Sequence, residues 1–343
     1  MRGLRGETGA ASETILRRGT VRRSSFLLFL AGLLYFLPSA SAAVVIEDYR
    51  PCFHAYLESD GTVRVAWRRF LESGEPHVLV VDPVRMELGK VNRRAIEGKP
   101  AADGQWETTP FAAALARYCA PPHPLRNAGI LRAEEPSRGY LLTVDLCPSR
   151  RPLDRKLFRE IAGFAGEAAA SVPVGIAASG LWIRNHREDF RWLVDLGRSP
   201  AGRLRITWIN HSYSHPYDPA APLEKNFLLR PGSDLLFEIL EAEKTLLQHD
   251  LLPAPFFRFP GLVSDGRLVE ALREKLLLPV GAGAWMGKGE PARPGDIILV
   301  HGNGNEPKGV RELYRLLDRL RAEGSRTAAF LPLASAVTGR PAP

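Results

Sequence analysis

Residues 140–146, Tyr140-Leu141-Leu142-Thr143-Val144-Asp145-Leu146, make a continuous apolar run of strand length that carries one carboxylate, Asp145. Downstream the same kind of run recurs. Val172–Ala178 (VPVGIAA), Leu204–Ile209 (LRITWI), Phe256–Phe259, Ile297–His301 (IILVH) and Thr327–Leu333 all read as strands. Between them lie segments with helical spacing: Leu153–Ala170, Arg187–Leu196, Ser233–Asp250, Asp265–Lys275 and Glu306–Glu323. In Ser233–Asp250, Leu235, Leu236, Ile239, Leu240, Leu246 and Leu247 line one side, and Ser233 can cap the first turn. Strands alternating with helices imply right-handed βαβ units around a parallel sheet, and about six or seven units in roughly 200 residues suit a barrel or an open doubly wound sheet. In either arrangement a site forms at the carboxyl ends of the strands.

Residues 43–135 read differently. Thr62–Trp67 (TVRVAW) and His77–Asp82 (HVLVVD) look like strands, Pro110–Tyr118 like a short helix, and Ala120–Pro124 (APPHP) like a linker. A small α+β extension is expected there. Ahead of it, a basic stretch is followed by the apolar run Phe26–Leu37 and the small residues Ser39-Ala40-Ser41-Ala42. This is the pattern of an export signal over residues 1–42, cleaved after Ala42, and it places the protein in the periplasm or outside the cell. The apolar run is too short to span a membrane, which takes roughly 20 residues, and no other run approaches that length.

The 343 residues are 45% hydrophobic and 24% charged, as in ordinary globular proteins. Of the net charge of +8, the six arginines and two glutamates of the leader supply half. The remainder is only mildly basic, with no Lys/Arg block interleaved with aromatics, so nucleic acid is not an expected partner. Export permits disulfides; Cys52 and Cys119 could pair, leaving Cys147 as the free thiol.

Five polar residues sit at predicted strand ends: Asp145, His211, His215, Arg258 and His301. His211 and His215 lie four apart in Asn210-His211-Ser212-Tyr213-Ser214-His215, so they can share one face of a helical turn and bind one zinc ion. A carboxylate beside a buried strand is costly unless paired or metal-bound. Arg258, set among Phe256, Phe257 and Phe259, needs an acidic or polar partner, and Asp145 is a candidate.

Taken in order, these segments resemble the polysaccharide deacetylases, the NodB-like carbohydrate esterases. The family's T-F-D-D-G-P motif corresponds to Thr143-Val144-Asp145-Leu146-Cys147-Pro148, and its N-H-[ST]-containing metal motif to Asn210–His215. Its R-x-P-Y motif corresponds to Arg258-Phe259-Pro260-Gly261 and its L-x-H motif to Leu299-Val300-His301. The resemblance covers about residues 138–335. It implies a deformed (β/α)7-type barrel over residues 136–337 and a divalent metal, usually zinc. The implied activity is deacetylation of an N-acetylated polysaccharide or peptidoglycan. By position it makes His211 and His215 metal ligands, Asp145 the general base, Arg258 its orienting partner and His301 the general acid.

The departures are equally specific. Leu146 stands where the family has a ligating aspartate, which is expected to weaken metal binding. Trp285 can stand for the tryptophan of the family's D-x-x-D-W motif, but its aspartates are missing, so His301 is expected to lack a carboxylate partner. Gly261 replaces the tyrosine of the substrate wall. These losses raise a second expectation: a catalytically degenerate glycan-binding protein on the same fold. Substrate contacts are expected from Tyr213, Phe259, Pro260 and Trp285.

Overall fold

The computed structural model describes residues 44–133, 139–164, 171–198, 204–325 and 329–339; the expected export signal lies outside them. The first described strands are β1 (Ile46–Leu57), β2 (Val63–Glu72), β3 (Glu75–Val81) and β4 (Leu88–Asn92), which form an antiparallel sheet in sequential order. Glu72 pairs with Glu75 across the two-residue turn Ser73-Gly74, both at positive φ, which matches the right-handed twist of the flanking strands. β3 is apolar on both faces because both are covered. Leu79 and Val81 pack with Trp67 into the main core, and Val78 and Val80 into a smaller cluster with Tyr56, Ala66 and Ile96. β1 eluded sequence reading: it is bulged twice, on either side of Pro51, and its residues do not alternate between apolar and polar.

This topology separates the two N-terminal cysteines. Cys119, at the end of α1 (Pro110–Tyr118), belongs to the main core, whereas Cys52 packs on the smaller cluster across the sheet. The expected Cys52–Cys119 disulfide is therefore absent, and both thiols are free.

The second sheet is built from β5 (Leu141–Leu146), β6 (Val172–Ala178), β7 (Leu204–Asn210), β8 (Pro253–Phe257), β9 (Leu278–Pro279), β10 (Ala284–Trp285) and β11 (Ile297–His301). Its order is β10-β11-β5-β6-β7-β8-β9, and every neighbouring pair is parallel. This is the deformed (β/α)7 barrel, with α2 (Arg155–Phe164), α3 (Gly180–Asn185), α4 (Arg187–Arg198), α5 (Leu235–Leu247), α6 (Gly266–Glu274), α7 (Pro307–Ala322) and α8 (Ser335–Thr338). The seam beside β9 is crossed by residues 127–132. Ile130 N–H donates to Pro279 O, Gly281 N–H to Ile130 O and Ile297 N–H to Leu131 O, at 2.9 Å each. Gly129 is obligatory there: its φ is +97°, and a Cβ would run into the Pro279 carbonyl. No helix among the described residues is long and apolar enough to cross a membrane.

Three local expectations are corrected. The cap of α5 is Asp234, whose carboxylate accepts from Phe237 N–H at 3.1 Å, and not Ser233. The helix expected from Leu153 starts at Arg155, because Asp154 accepts from Leu157 N–H at 3.0 Å and fixes the first turn. The closing strand Thr327–Leu333 reduces, among its described residues, to a single parallel bridge between Phe330 and Tyr140.

Period-two alternation positions the chemistry. In β5, Leu142, Val144 and Leu146 join the cluster under the helices, with Leu157, Phe158, Leu313 and Leu317. Thr143 and Asp145 face the other way, toward Arg258. In β11 the same alternation turns Ile298 and Val300 to the helix layer and leaves His301 opposite Asp145.

Candidate active site

Arg258 organises the floor of the site. Its side chain is wholly buried and reaches Asp145 Oδ1 at 3.2 Å and Thr143 Oγ at 3.0 Å. Thr143 in turn donates to Ile298 O at 2.6 Å. The Arg258 carbonyl accepts from the His211 ring at Nδ1, 2.8 Å away. A carbonyl can only accept, so Nδ1 carries the hydrogen and Nε2 is left bare. Burial holds the His211 imidazole below its ordinary pKa, outweighing the Asp145 carboxylate, so the ring is neutral. Nε2 points at Asp145 Oδ2, 3.9 Å away, and at Cys147 Sγ, 3.5 Å away.

His211 and His215 meet, but not on a helix. Ser212 and His215 take left-handed backbone angles (φ +61° and +48°), which fold the loop so that the two rings stand 4.7 Å apart. Buried groups pin this strained loop. Asn210 Oδ1 accepts from Ser212 N–H at 2.9 Å, and Ser212 Oγ from His215 N–H at 3.1 Å. Glu238, on α5, accepts from the Tyr213 and Ser214 amides at 2.9 and 2.8 Å and from the Ser214 hydroxyl. Asn210 is anchored in turn to Ile239 O (2.9 Å) and Glu243 (3.3 Å). Glu243 forms a wholly buried ion pair with Arg68 of β2 at 2.6 Å and accepts from Tyr49 of β1 at 2.8 Å. The N-terminal sheet thus reaches the histidine loop through one polar chain. His215 Nε2 is buried without a hydrogen-bond partner.

His301 does not lack a carboxylate partner. Glu306, in the glycine-rich loop after β11, meets its Nδ1 at 2.9 Å and also accepts from Trp285 Nε1 at 2.7 Å. Burial pushes the His301 pKa down, but Cys147, Glu306 and Asp145 outweigh it and hold it well above the ordinary value. Burial likewise pushes Glu306 up, and its bond to His301 brings it below the usual range. Cys147 follows the same logic: burial raises its thiol, while His215 and His301 bring it down to about 7. Its backbone is fixed by Asn303 Nδ2, which donates to the Cys147 carbonyl at 2.7 Å.

The expected substrate contacts are distributed unevenly. Trp285 is half-buried beside His301, with ring centres 6.0 Å apart and Lys288 Nζ 3.7 Å above its own ring. It borders a cleft of about 190 Å³ lined by Arg126, Asn127, Gly261 and Lys288. Phe259 and Pro260 are buried in the core, where the Phe259 ring packs edge-on against Phe257. Neither presents a face to a ligand. Tyr213 is half-buried against Phe237 and fills the space over Gly180. Gly261 has a counterpart that sequence reading missed. A Cβ there would collide with the Phe227 ring, which occupies the place and stands 6.0 Å from His215.

Cys147, Glu306, Glu238 and Phe227 are thus the site residues that sequence reading missed. Only Cys147 carried a local signal: two positions after Asp145, it returns to the inner side of the strand end.

No family model matches the chain. Solved structures similar to it include a family 4 carbohydrate esterase from Bacillus anthracis, 19% identical, covering 62% of this chain and 89% of that one at a TM-score of 0.45. Another is PdaA of Bacillus subtilis, a family 4 carbohydrate esterase, 14% identical over 66% of this chain and 86% of that one, TM-score 0.43. A third is a family 4 pseudoenzyme from Bacillus anthracis, 12% identical over 86% and 90% of the two chains, TM-score 0.43.

Proposed function

We propose that this chain is an exported, metal-dependent carbohydrate deacetylase that removes acetyl groups from an N-acetylated polysaccharide or peptidoglycan. The observation that carries the reading is the clustering of Asp145, His211, His215, Arg258 and His301, brought together from the ends of four strands. The leader pattern supports a periplasmic or secreted location. A divalent metal, zinc by donor type, fits the residues present: His211 Nε2 is bare and His215 Nε2 is buried without a partner. Such an ion, when bound, supplies Lewis-acid polarisation of the acetyl carbonyl and acidifies the attacking water.

The chain's own residues do the rest. Asp145, oriented by Arg258, takes the proton from the attacking water. His301, held protonated by Cys147 and Glu306 and aimed by Glu306, delivers a proton to the departing amine nitrogen. Arg258, which holds both Asp145 and His211, keeps base and ligand in register. Trp285 offers a ring face to the sugar.

The test is acetate release from N-acetylglucosamine oligomers and peptidoglycan by the purified protein supplied with zinc or cobalt. Turnover that is lost in Asp145→Asn supports the reading; no acetate from any such substrate removes it. The burial of Leu146 in the helix layer favours the second reading, a glycan-binding protein without turnover. That reading predicts glycan binding that survives His211→Ala and Asp145→Asn.

A further inference from the structure

We infer that Cys147 is the third protein ligand of the proposed metal, making the site a thiolate–bis-imidazole centre rather than a carboxylate one. The inference rests on the metal reading above and deepens it. Leu146, in the position where the resemblance calls for a ligand, is committed to the helix-side core and cannot turn inward without exposing that core. Cys147, one residue beyond the strand, comes back to the side of Asp145. Its Sγ and one ring nitrogen each of His211 and His215 lie within 4.8 Å of one another.

The spacing is that of a ligand shell. Zn–N bonds of roughly 2.0–2.1 Å and a Zn–S bond of roughly 2.3 Å at tetrahedral angles put S and N about 3.6 Å apart. The observed separation of Cys147 Sγ and His211 Nε2 is 3.5 Å. A second, independent observation is the orphaned His215 Nε2, a buried polar atom with nothing in the protein to satisfy it. His211 Nε2 has no hydrogen to give, since Nδ1 bears it. The bare His211 Nε2, a ring nitrogen of His215 and the Cys147 sulfur are thus gathered within one ligand shell's reach, and a cation satisfies all three together. The arrangement leaves Asp145 free on Arg258 for proton transfer, and the thiolate supplies the negative charge that Leu146 cannot.

The donor set also fixes which metals bind. Two imidazoles and a thiolate suit zinc and cobalt; magnesium, calcium and manganese prefer oxygen ligands. Selectivity of zinc or cobalt over magnesium is therefore a property of this site.

The experiment is titration of the purified, metal-stripped protein with Co²⁺, followed by absorption. Wild type is expected to show intense visible bands of four-coordinate cobalt together with a near-ultraviolet sulfur-to-cobalt charge-transfer band. Cys147→Asp is expected to keep the visible bands and lose the charge-transfer band. Cys147→Ser is expected to lose that band with a fall in affinity of at least about 10-fold, the lower end of the loss from disturbing even an outer-shell partner. Cobalt bound by wild type without the charge-transfer band, or unchanged affinity in a folded Cys147→Ser, overturns the Cys147 assignment while leaving a metal-dependent reaction standing. A wild-type protein that binds no cobalt overturns both.

Discussion

Replacing Arg68 with methionine should be the most damaging single substitution far from the pocket. The Arg68 guanidinium is wholly buried and bonds Glu243 through Nε at 2.6 Å and Nη2 at 3.0 Å, and the carbonyls of Trp67 and Lys275 at 2.9 Å each. Without it, Glu243 keeps only the Tyr49 hydroxyl at 2.8 Å and the Asn210 amide at 3.3 Å, in a site closed to water. Breaking a buried pair from one side costs about 3–5 kcal/mol, because an uncompensated charge remains. That is a large share of a typical folding stability of about 5–15 kcal/mol, and it corresponds to a fall in melting temperature on the order of 10 °C. The double variant Arg68→Met/Glu243→Leu removes the stranded charge and should be more stable than Arg68→Met alone. It also removes one of the two anchors of Asn210, leaving only the Ile239 carbonyl, so metal affinity should fall in the double variant even as stability recovers. Thermal denaturation of wild type, both single variants and the double variant, with a parallel metal titration, reads all of this. A loss under about 1 kcal/mol for Arg68→Met, or a double variant equal to the sum of the singles, would refute the reasoning.

Three further outcomes are expected. Glu306→Gln should lower kcat for acetate release by about 100-fold, the lower range for general acid–base catalysis, with metal content unchanged; steady-state kinetics and elemental analysis check it. Gly261→Ala should destabilise by about 1–3 kcal/mol, because its φ is +61° and the new methyl meets the Phe227 ring, and the cost should shrink in a Phe227→Ala background; chemical denaturation reads the difference. Asp145→Asn should abolish turnover and also lower the melting temperature, since it leaves the wholly buried Arg258 without a counter-ion.

The barrel was legible where the physics is local. Val172–Ala178 and Ile297–His301 are strands with the bounds their apolar runs suggest, because a strand covered on both faces needs a continuous apolar run. Polar residues ending such runs marked where Asp145, His211, Arg258 and His301 would lie. Features set by long-range partners were not legible. Arg68 and Glu243 are 175 residues apart, and nothing in either neighbourhood announces the other. Residues 127–132 cross the barrel seam as an irregular segment with left-handed residues at Asn127 and Gly129, which has no periodic signature. Glu306 reads as the start of a helix, yet it precedes α7 and turns back to His301 across a loop of glycines and asparagines. The shape of the histidine loop depends on two left-handed residues, Ser212 and His215, that spacing alone would place on a helix.

The central claim is that the side-chain cluster at the ends of β5, β7 and β11 grips a metal through His211 and His215. Elemental analysis of the purified protein after zinc loading and desalting tests this most directly. The expected result is about one zinc per chain in wild type and a small fraction of that in a folded His211→Ala/His215→Ala variant. Equal zinc in both proteins, or none in either, would contradict it.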